Sequence, residues 1–420
     1  MFGRCERFVS LIRTKVVRMS DDRYHRRLFV FLGVASFFEG FDTFALTQLL
    51  PAIRAEMGLS PSDAGWLVGA ICAGSILSYG LVRYADRAGR RGVLAVTILG
   101  YALCTALTAL ARGPFTFGAA QIAARFFLIA EWALSLVVAA EEFPADRRGL
   151  YIGVLNALTG VGAIVCAGIT PAVVQSPLGW RGIYVLGTAP LFLLAVARRS
   201  LRETRRFTEQ VEGTSLAKRP FTQILSPPHR KRMLLLAAIW MLTYACTTNA
   251  IMFWKEHAMG ERGYTEGRVG LYISIAAVAG LPLAFLSAKL LDVIGRRSAS
   301  IVIYLSVVAG TVGCYLAGAP ALVLISLVLA MGGITATGSV LAAYNAELFP
   351  TELRSDAFGW SNHLFGRTAQ VVTPVVVGYA AESVGWGKAV SSTVVFPVIA
   401  LALILLTLPE TRGRELEDIA

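Results

Sequence analysis

Runs of about 18–25 apolar residues recur from one end of this chain to the other, and that recurrence limits what it can fold into. The hydrocarbon core of a bilayer is about 30 Å thick, and a helix crosses it in about 20 residues. Of the 420 residues, 55% are hydrophobic and only 16% charged, where a soluble domain carries about a quarter. Length alone would suggest two or three globular domains, but the apolar runs override that prior. The pattern predicts an all-α polytopic membrane protein. Its twelve transmembrane helices lie near 28–50, 63–84, 92–111, 115–140, 150–173, 182–199, 233–254, 268–290, 299–317, 320–346, 357–380 and 388–408.

Lysine and arginine set the topology. With the N-terminus on the cytoplasmic side, thirty of the 39 basic residues fall in cytoplasmic segments and helix ends. Seven face the other side, namely Arg54, Arg112, Arg181, Lys255, Arg262, Arg268 and Lys388, and Arg125 and Arg367 remain inside spans. Basic residues concentrate in cytoplasmic loops, so both termini are placed in the cytoplasm and the chain in a cell membrane, the inner one if the source is prokaryotic. The net charge of +12 is therefore a topology signal, and no basic stripe interleaved with aromatics marks a nucleic-acid surface. The six cysteines form no CxxC or Cys/His cluster, which indicates neither a disulfide framework nor a zinc site. No cleavable signal peptide is visible. Residues 1–18 are basic and fit a disordered tail better than a membrane-surface helix, with Met19 an alternative start.

The chain repeats itself at an offset of 206. "ADRAGRRG" at 85–92 is answered by "LDVIGRRS" at 291–298, which pairs Asp86 with Asp292 and Arg90 with Arg296. "EEFPADRRG" at 141–149 is answered by "AELFPTELRS" at 346–355, which pairs Arg148 with Arg354. Gly179-Trp180 recurs as Gly385-Trp386, and "LRETR" at 201–205 as "LPETR" at 408–412. Two parallel six-helix halves follow, 28–199 and 232–408. A cytoplasmic linker at 200–231 joins them, with a cytoplasmic tail at each end, 1–27 and 409–420. Carriers built from such repeats bind substrate near the bilayer midplane between the halves.

These loops resemble the signature motifs of the major facilitator superfamily, and the resemblance covers about 28–416. "ADRAGRR" is similar to the family's G-x-x-x-D-R-x-G-R-R loop, with Val82 at the leading Gly. The second copy has Ala288 at the Gly and Val293 at the Arg. "PETRGRELEDI" and "AELFPTELR" look like the sugar-porter and organic-ion branch. The resemblance implies that Asp86, Arg90, Glu142 and Arg148, with Asp292, Arg296, Glu347 and Arg354, form cytoplasmic ion pairs that latch the outward-facing state. Solvated, topology-setting charges are the plainer alternative.

Five ionisable residues lie deep in spans: Glu39, Asp42, Arg125, Glu131 and Arg367. A charge at the bilayer centre costs at least about 2.5–3.5 kcal/mol, so such residues are functional candidates. For Glu39, Asp42, Arg125 and Arg367 the repeat equivalents are Ala245, Thr248, Met331 and Val161, none of them charged. Features shared by both halves serve the fold and its gating, whereas unshared charges are candidates for substrate and coupling ion. Glu39 and Asp42 are three apart on one helix face and are the candidate proton carriers. Arg125 and Arg367, near the midplane, are candidates for an anionic substrate, which a guanidinium can grip with two parallel bonds. A permanent pair of Asp42 or Glu131 with Arg125 is the structural alternative. Tyr244, Asn249, Tyr344, Asn345 and Gln370 are further candidates for the cavity wall, each also a plausible interhelical hydrogen bond. His363 opens the eleventh span.

"EGFDTFALTQLLPAI" resembles the first span of aromatic-acid/proton symporters, D-G-[FY]-D, with Glu39 at the first Asp and Asp42 at the second. Arg367 argues against the organic-cation members, and the seventh and tenth spans lack the sugar-porter Gln-Gln and Pro-x-x-Trp. The resemblance implies a secondary active transporter, with proton-coupled import of a small organic anion by alternating access. A proton-antiport exporter of drugs or metabolites is the alternative, and a non-transporting receptor on the same fold a third. No nucleophile–base, metal or nucleotide motif points to an enzyme. The expected partners are an organic-anion substrate and lipid, with no nucleic acid, no cofactor beyond the coupling proton, and a monomeric state.

Overall fold

The computed structural model describes residues 2–144, 148–198, 221–350 and 352–412, and those residues are almost wholly helical. The first half holds α1 (Phe2–Met57), α2 (Pro61–Ala88), α3 (Arg90–Ala109), α4 (Pro114–Glu142), α5 (Arg148–Val174) and α6 (Arg181–Ala197). The second holds α7 (Pro227–Met252), α8 (Glu266–Ile294), α9 (Arg296–Leu316), α10 (Pro320–Glu347), α11 (Thr368–Ser392) and α12 (Val395–Thr407). Short helices at Trp254–Gly260 and Arg354–Phe358 extend α7 outward and lead into α11.

Among the described residues, nine helical stretches are long and apolar enough to cross a bilayer, and Arg181–Ala197 is a shorter apolar helix. One stretch, Arg354–Thr407, is too long for a single crossing. Gly385 breaks it at φ 80°, a left-handed backbone that only glycine adopts without strain. The break puts Trp386 at the start of the last crossing, as Gly179 (φ 55°) puts Trp180 before α6. Of the six positive-φ glycines among the described residues, 89 pairs with 295 and 179 with 385 at the repeat offset, and 58 with 263 one residue short of it. The helix starts repeat too, with Pro114 and Pro320 each opening its helix, where a missing N–H costs nothing.

Packing repeats as the sequence does. In the first half α1 packs on α5, α2 on α4, and α3 on α4 and α6. In the second, α7 packs on α11, α8 on α10, and α9 on α10 and α12. The halves meet through α2 against α11 and α5 against α8, two contacts that the repeat interchanges. Glycines permit the closest approaches. A Cβ on Gly65 would run into the Pro374 carbonyl, and one on Gly378 would sit 2.6 Å from the Pro61 carbonyl. Small residues at such crossings let membrane helices touch backbone to backbone.

Two expectations need correction. Residues 2–18 continue α1 as helix, where a disordered tail was favoured. Residues 199–220 of the linker and 413–420 of the C-terminal tail lie outside the described residues. Arg198, counted among the cytoplasmic charges, is buried and pairs with Glu131.

Candidate functional site

The end of the bundle that carries the 85–92 and 291–298 loops is called the basic end here. Two ion pairs related by the repeat staple helices there. Arg90 Nη2 bonds Glu141 Oε1 at 3.2 Å, and Arg296 Nη2 bonds Glu347 Oε1 at 2.6 Å. In the first half Arg90 is thus bonded to Glu141, while Glu142 beside it makes an interaction of its own. Glu142 falls one residue out of register, since 142 maps onto Leu348 and 141 onto Glu347. Asp292 lies 3.4 Å from Arg296, and Arg354 Nε donates to the Phe349 carbonyl at 3.1 Å. The side chains of Asp86 and Arg148 lie outside the described residues. Glu410 accepts the backbone N–H groups of Arg296 and Arg297 at the start of α9, at 2.8 and 2.9 Å. Partial burial works against its charge, but these donors and those of Arg412 and Thr411 prevail and hold its carboxyl below the usual range.

Between the halves lie three connected spaces. A vestibule of about 660 Å³ at the basic end is bordered by Arg83, Arg90, Glu141, Arg354 and Asp356. It shares Trp132, Ala342, Phe358 and His363 with a deeper chamber of about 710 Å³. That chamber shares Tyr244, Thr247, Ile334 and Arg367 with a third space of about 330 Å³. The imidazole of His363 stacks on Tyr79 from the other half, with ring centres 5.8 Å apart, where vestibule and chamber meet. His363 sits in a π-helical turn, Gly359–Gly366, that leads into Arg367. The wider i→i−5 bond from Arg367 N to Asn362 O, 3.0 Å, marks it.

The far end is shut. Arg54 of α1 bonds Glu256 of the short helix at 2.5 Å, with side-chain exposures of 17% and 7%. Lys255, 1% exposed, donates to the Gln48 carbonyl of α1 and to Glu266, both at 2.6 Å. The Arg54 guanidinium also lies over the Trp386 ring, 5.6 Å from its centre. Glu261 accepts the backbone N–H groups of Trp386 and Gly387, which anchors the short helix to the start of the last crossing. At the basic end Arg83 of α2 pairs with Asp356 of the other half at 3.2 Å beside the vestibule, a single described ion pair between the halves where the far end has a buried cluster.

The intramembrane charges divide into three sets. Glu131 is fully used: Arg198, Thr97 and Ser135 all donate to it. It holds α3, α4 and α6 together. Glu39 lines the 710 Å³ chamber and accepts from Thr159 Oγ1 at 3.0 Å. Asp42 lines neither chamber nor vestibule. It faces the first-half interior, with Tyr101 against it and Arg125 within Coulombic reach. Arg125 and Arg367 both line the 330 Å³ chamber. Arg367 is 9% exposed, its Nε has no partner, and its guanidinium forms no ion pair with a described residue. Arg125 makes one long bond, to Thr43 Oγ1 at 3.4 Å.

The other wall candidates are placed as follows. Tyr244 lines both chambers, and Gln370 the smaller one. Asn345 borders the vestibule and is held by Leu341 O and Ser361. Asn249 lines none of these three spaces; it bonds Ala245 O and Thr373 between α7 and α11. Tyr344 is buried in the apolar packing of the second half. The sequence reading missed Cys72, Ser75, Thr43, Thr47, Thr247 and Thr248 on the smaller chamber. Small polar residues are common in such helices, so only the fold singles these out.

The profile of the Major Facilitator Superfamily matches residues 32–369. The chain belongs to that superfamily. It is a multi-pass membrane transporter, not an enzyme. Among its relatives, the niacin transporter NiaP of Acinetobacter baylyi is 24% identical over 97% of this chain and 99% of its own. The gallate transporter of Pseudomonas putida is 26% identical, covering 90% of each chain. The crystal structure of a D-xylose-proton symporter superposes with a TM-score of 0.75 at 17% identity, over 93% of this chain and 99% of that one, which bears on the fold alone.

Proposed function

We propose that this transporter imports a small organic anion, an aromatic or other metabolite carboxylate, together with protons, by alternating access. One observation carries the reading. The Arg367 guanidinium is buried at the junction of two chambers with no ion-pair partner among the described residues. An unpaired charge so deep is costly, and a carboxylate that accepts from its fork offsets that cost. Relatives named for niacin, gallate and cis,cis-muconate transport support the same chemistry.

Glu39 is the better placed proton carrier. It faces the chamber beside Arg367, whereas Asp42 lines none of the three spaces and lies within Coulombic reach of Arg125. Anion and proton together neutralise the site, which lowers the barrier to carrying it across the bilayer. The excess of Lys and Arg at the basic end supports its placement on the cytoplasmic side. The vestibule is then the release path, and the Arg54–Glu256 end is the closed outer gate. The test is binding to purified protein of benzoate against its neutral isostere benzamide. Benzoate binds at least tenfold tighter to the native protein, and Arg367→Gln removes the preference. Equal affinities in the native protein would refute the assignment.

A further inference from the structure

The 330 Å³ chamber holds two guanidiniums and no carboxylate. Arg125 enters from α4 of one half and Arg367 from the approach to α11 of the other. Glu39 borders only the larger chamber, and Asp42 borders neither. Among the described residues neither arginine has a carboxylate within ion-pair distance; Glu39 acts on both, and Asp42 on Arg125, only from farther off, and Arg125 is close enough to repel Arg367. Two like charges lining one space repel, and a monocarboxylate can accept from only one of the two guanidinium forks at a time.

We infer that the substrate is a dicarboxylate held end to end, one carboxylate on Arg125 and the other on Arg367. This rests on the organic-anion reading above and narrows it. The chamber is at the small end of ligand pockets, suited to one ring or a short chain. Phe44, Ile251 and Met252 supply an apolar wall for the middle of the molecule, and Gln370 adds a donor beside Arg367. The two grips belong to different halves, so a diacid ties the halves together as it binds. A monoacid engages one half and leaves the other guanidinium unanswered.

The test compares terephthalate with its monomethyl ester, the same ring with one charge removed, by calorimetry on the purified full-length protein. The diacid binds at least tenfold tighter, and in Arg125→Gln the ratio of the two affinities falls to within twofold of one. Arg125→Lys, which keeps the charge but loses the fork, leaves a ratio between those limits and covers the case in which the glutamine variant does not fold. A series of straight-chain diacids shows one length optimum. Equal binding of acid and ester, an advantage that survives Arg125→Gln, or affinity that climbs steadily with chain length would each overturn the inference. If acid and ester bind alike but both outbind terephthalamide, only the dicarboxylate claim fails. If the diamide binds as well as either, the anion reading fails with it.

Discussion

Arg54→Ala opens the closed end. In the closed arrangement Arg54 is the partner of Glu256 Oε2, while Glu256 Oε1 already has none. Removing one partner of a buried ion pair costs about 3–5 kcal/mol, because the other charge stays buried. Lys255 lies near enough to Glu256 to return part of that, so about 2–3 kcal/mol is the working figure. Once the end opens, Glu256 meets water, so the penalty falls on the closed state alone. At 1.4 kcal/mol per factor of ten, the open population rises about 30- to 150-fold. Cys72 reports it, since its side chain lines the 330 Å³ chamber below the gate. In a variant with Cys72 as sole cysteine, a membrane-impermeant thiol reagent added outside intact cells labels it faster by that factor. The exchange Arg54→Glu with Glu256→Arg returns the rate toward the native one. An unchanged labelling rate in Arg54→Ala would refute the latch.

Other consequences can be checked separately. Glu131→Gln strands Arg198 in the first half at a cost of about 3–5 kcal/mol, seen as a much lower melting temperature in detergent. The double variant Glu131→Leu with Arg198→Met recovers most of that loss. Gly162→Leu drives a side chain into the Phe37 carbonyl where α5 crosses α1, so folded protein is lost, whereas Gly92→Ala, with open space around its Cβ position, is tolerated. The carboxyl of Glu410 is held below its ordinary range, so its contribution is present above the unfolded value and disappears as pH falls through the folded one. Glu410→Gln therefore lowers the melting temperature at neutral pH and flattens its fall on the acid side.

The repeat was legible because the loops that reverse the chain repeat in residue type as well as position. Gly89 and Gly295 share a positive φ, and Arg90 and Arg296 each meet a carboxylate. Two adjacent glutamates satisfy the loose motif there, and the register that sets Glu141 opposite Glu347 shows only when the helices pack and Arg90 meets it. Arg367 and Arg125 were legible as midplane charges without an answer in the other half. The division of labour between Glu39 and Asp42 was not. Three residues turn a helix through about 300°, which leaves the two side chains about 60° apart. That is enough to aim one at the chamber and the other into the bundle. Partners far apart in sequence were also hidden. Glu131 and Arg198 are 67 residues apart, and Arg198 lies just past its apolar run. The plug at Trp254–Gly260 has no counterpart in α1, which runs straight through Pro51, so the repeat gave no warning of it.

Inward, proton-coupled movement of an organic anion through a site built on Arg367 can be read in one experiment. The most direct measurement is internal pH in liposomes that contain the purified protein and a trapped pH dye. An aromatic carboxylate is added outside, with empty liposomes as the control for leak. The account predicts acidification beyond the empty-liposome rate, absent in Arg367→Gln and absent with sugars or organic cations. Alkalinisation, or a carboxylate response that persists in Arg367→Gln, would contradict it.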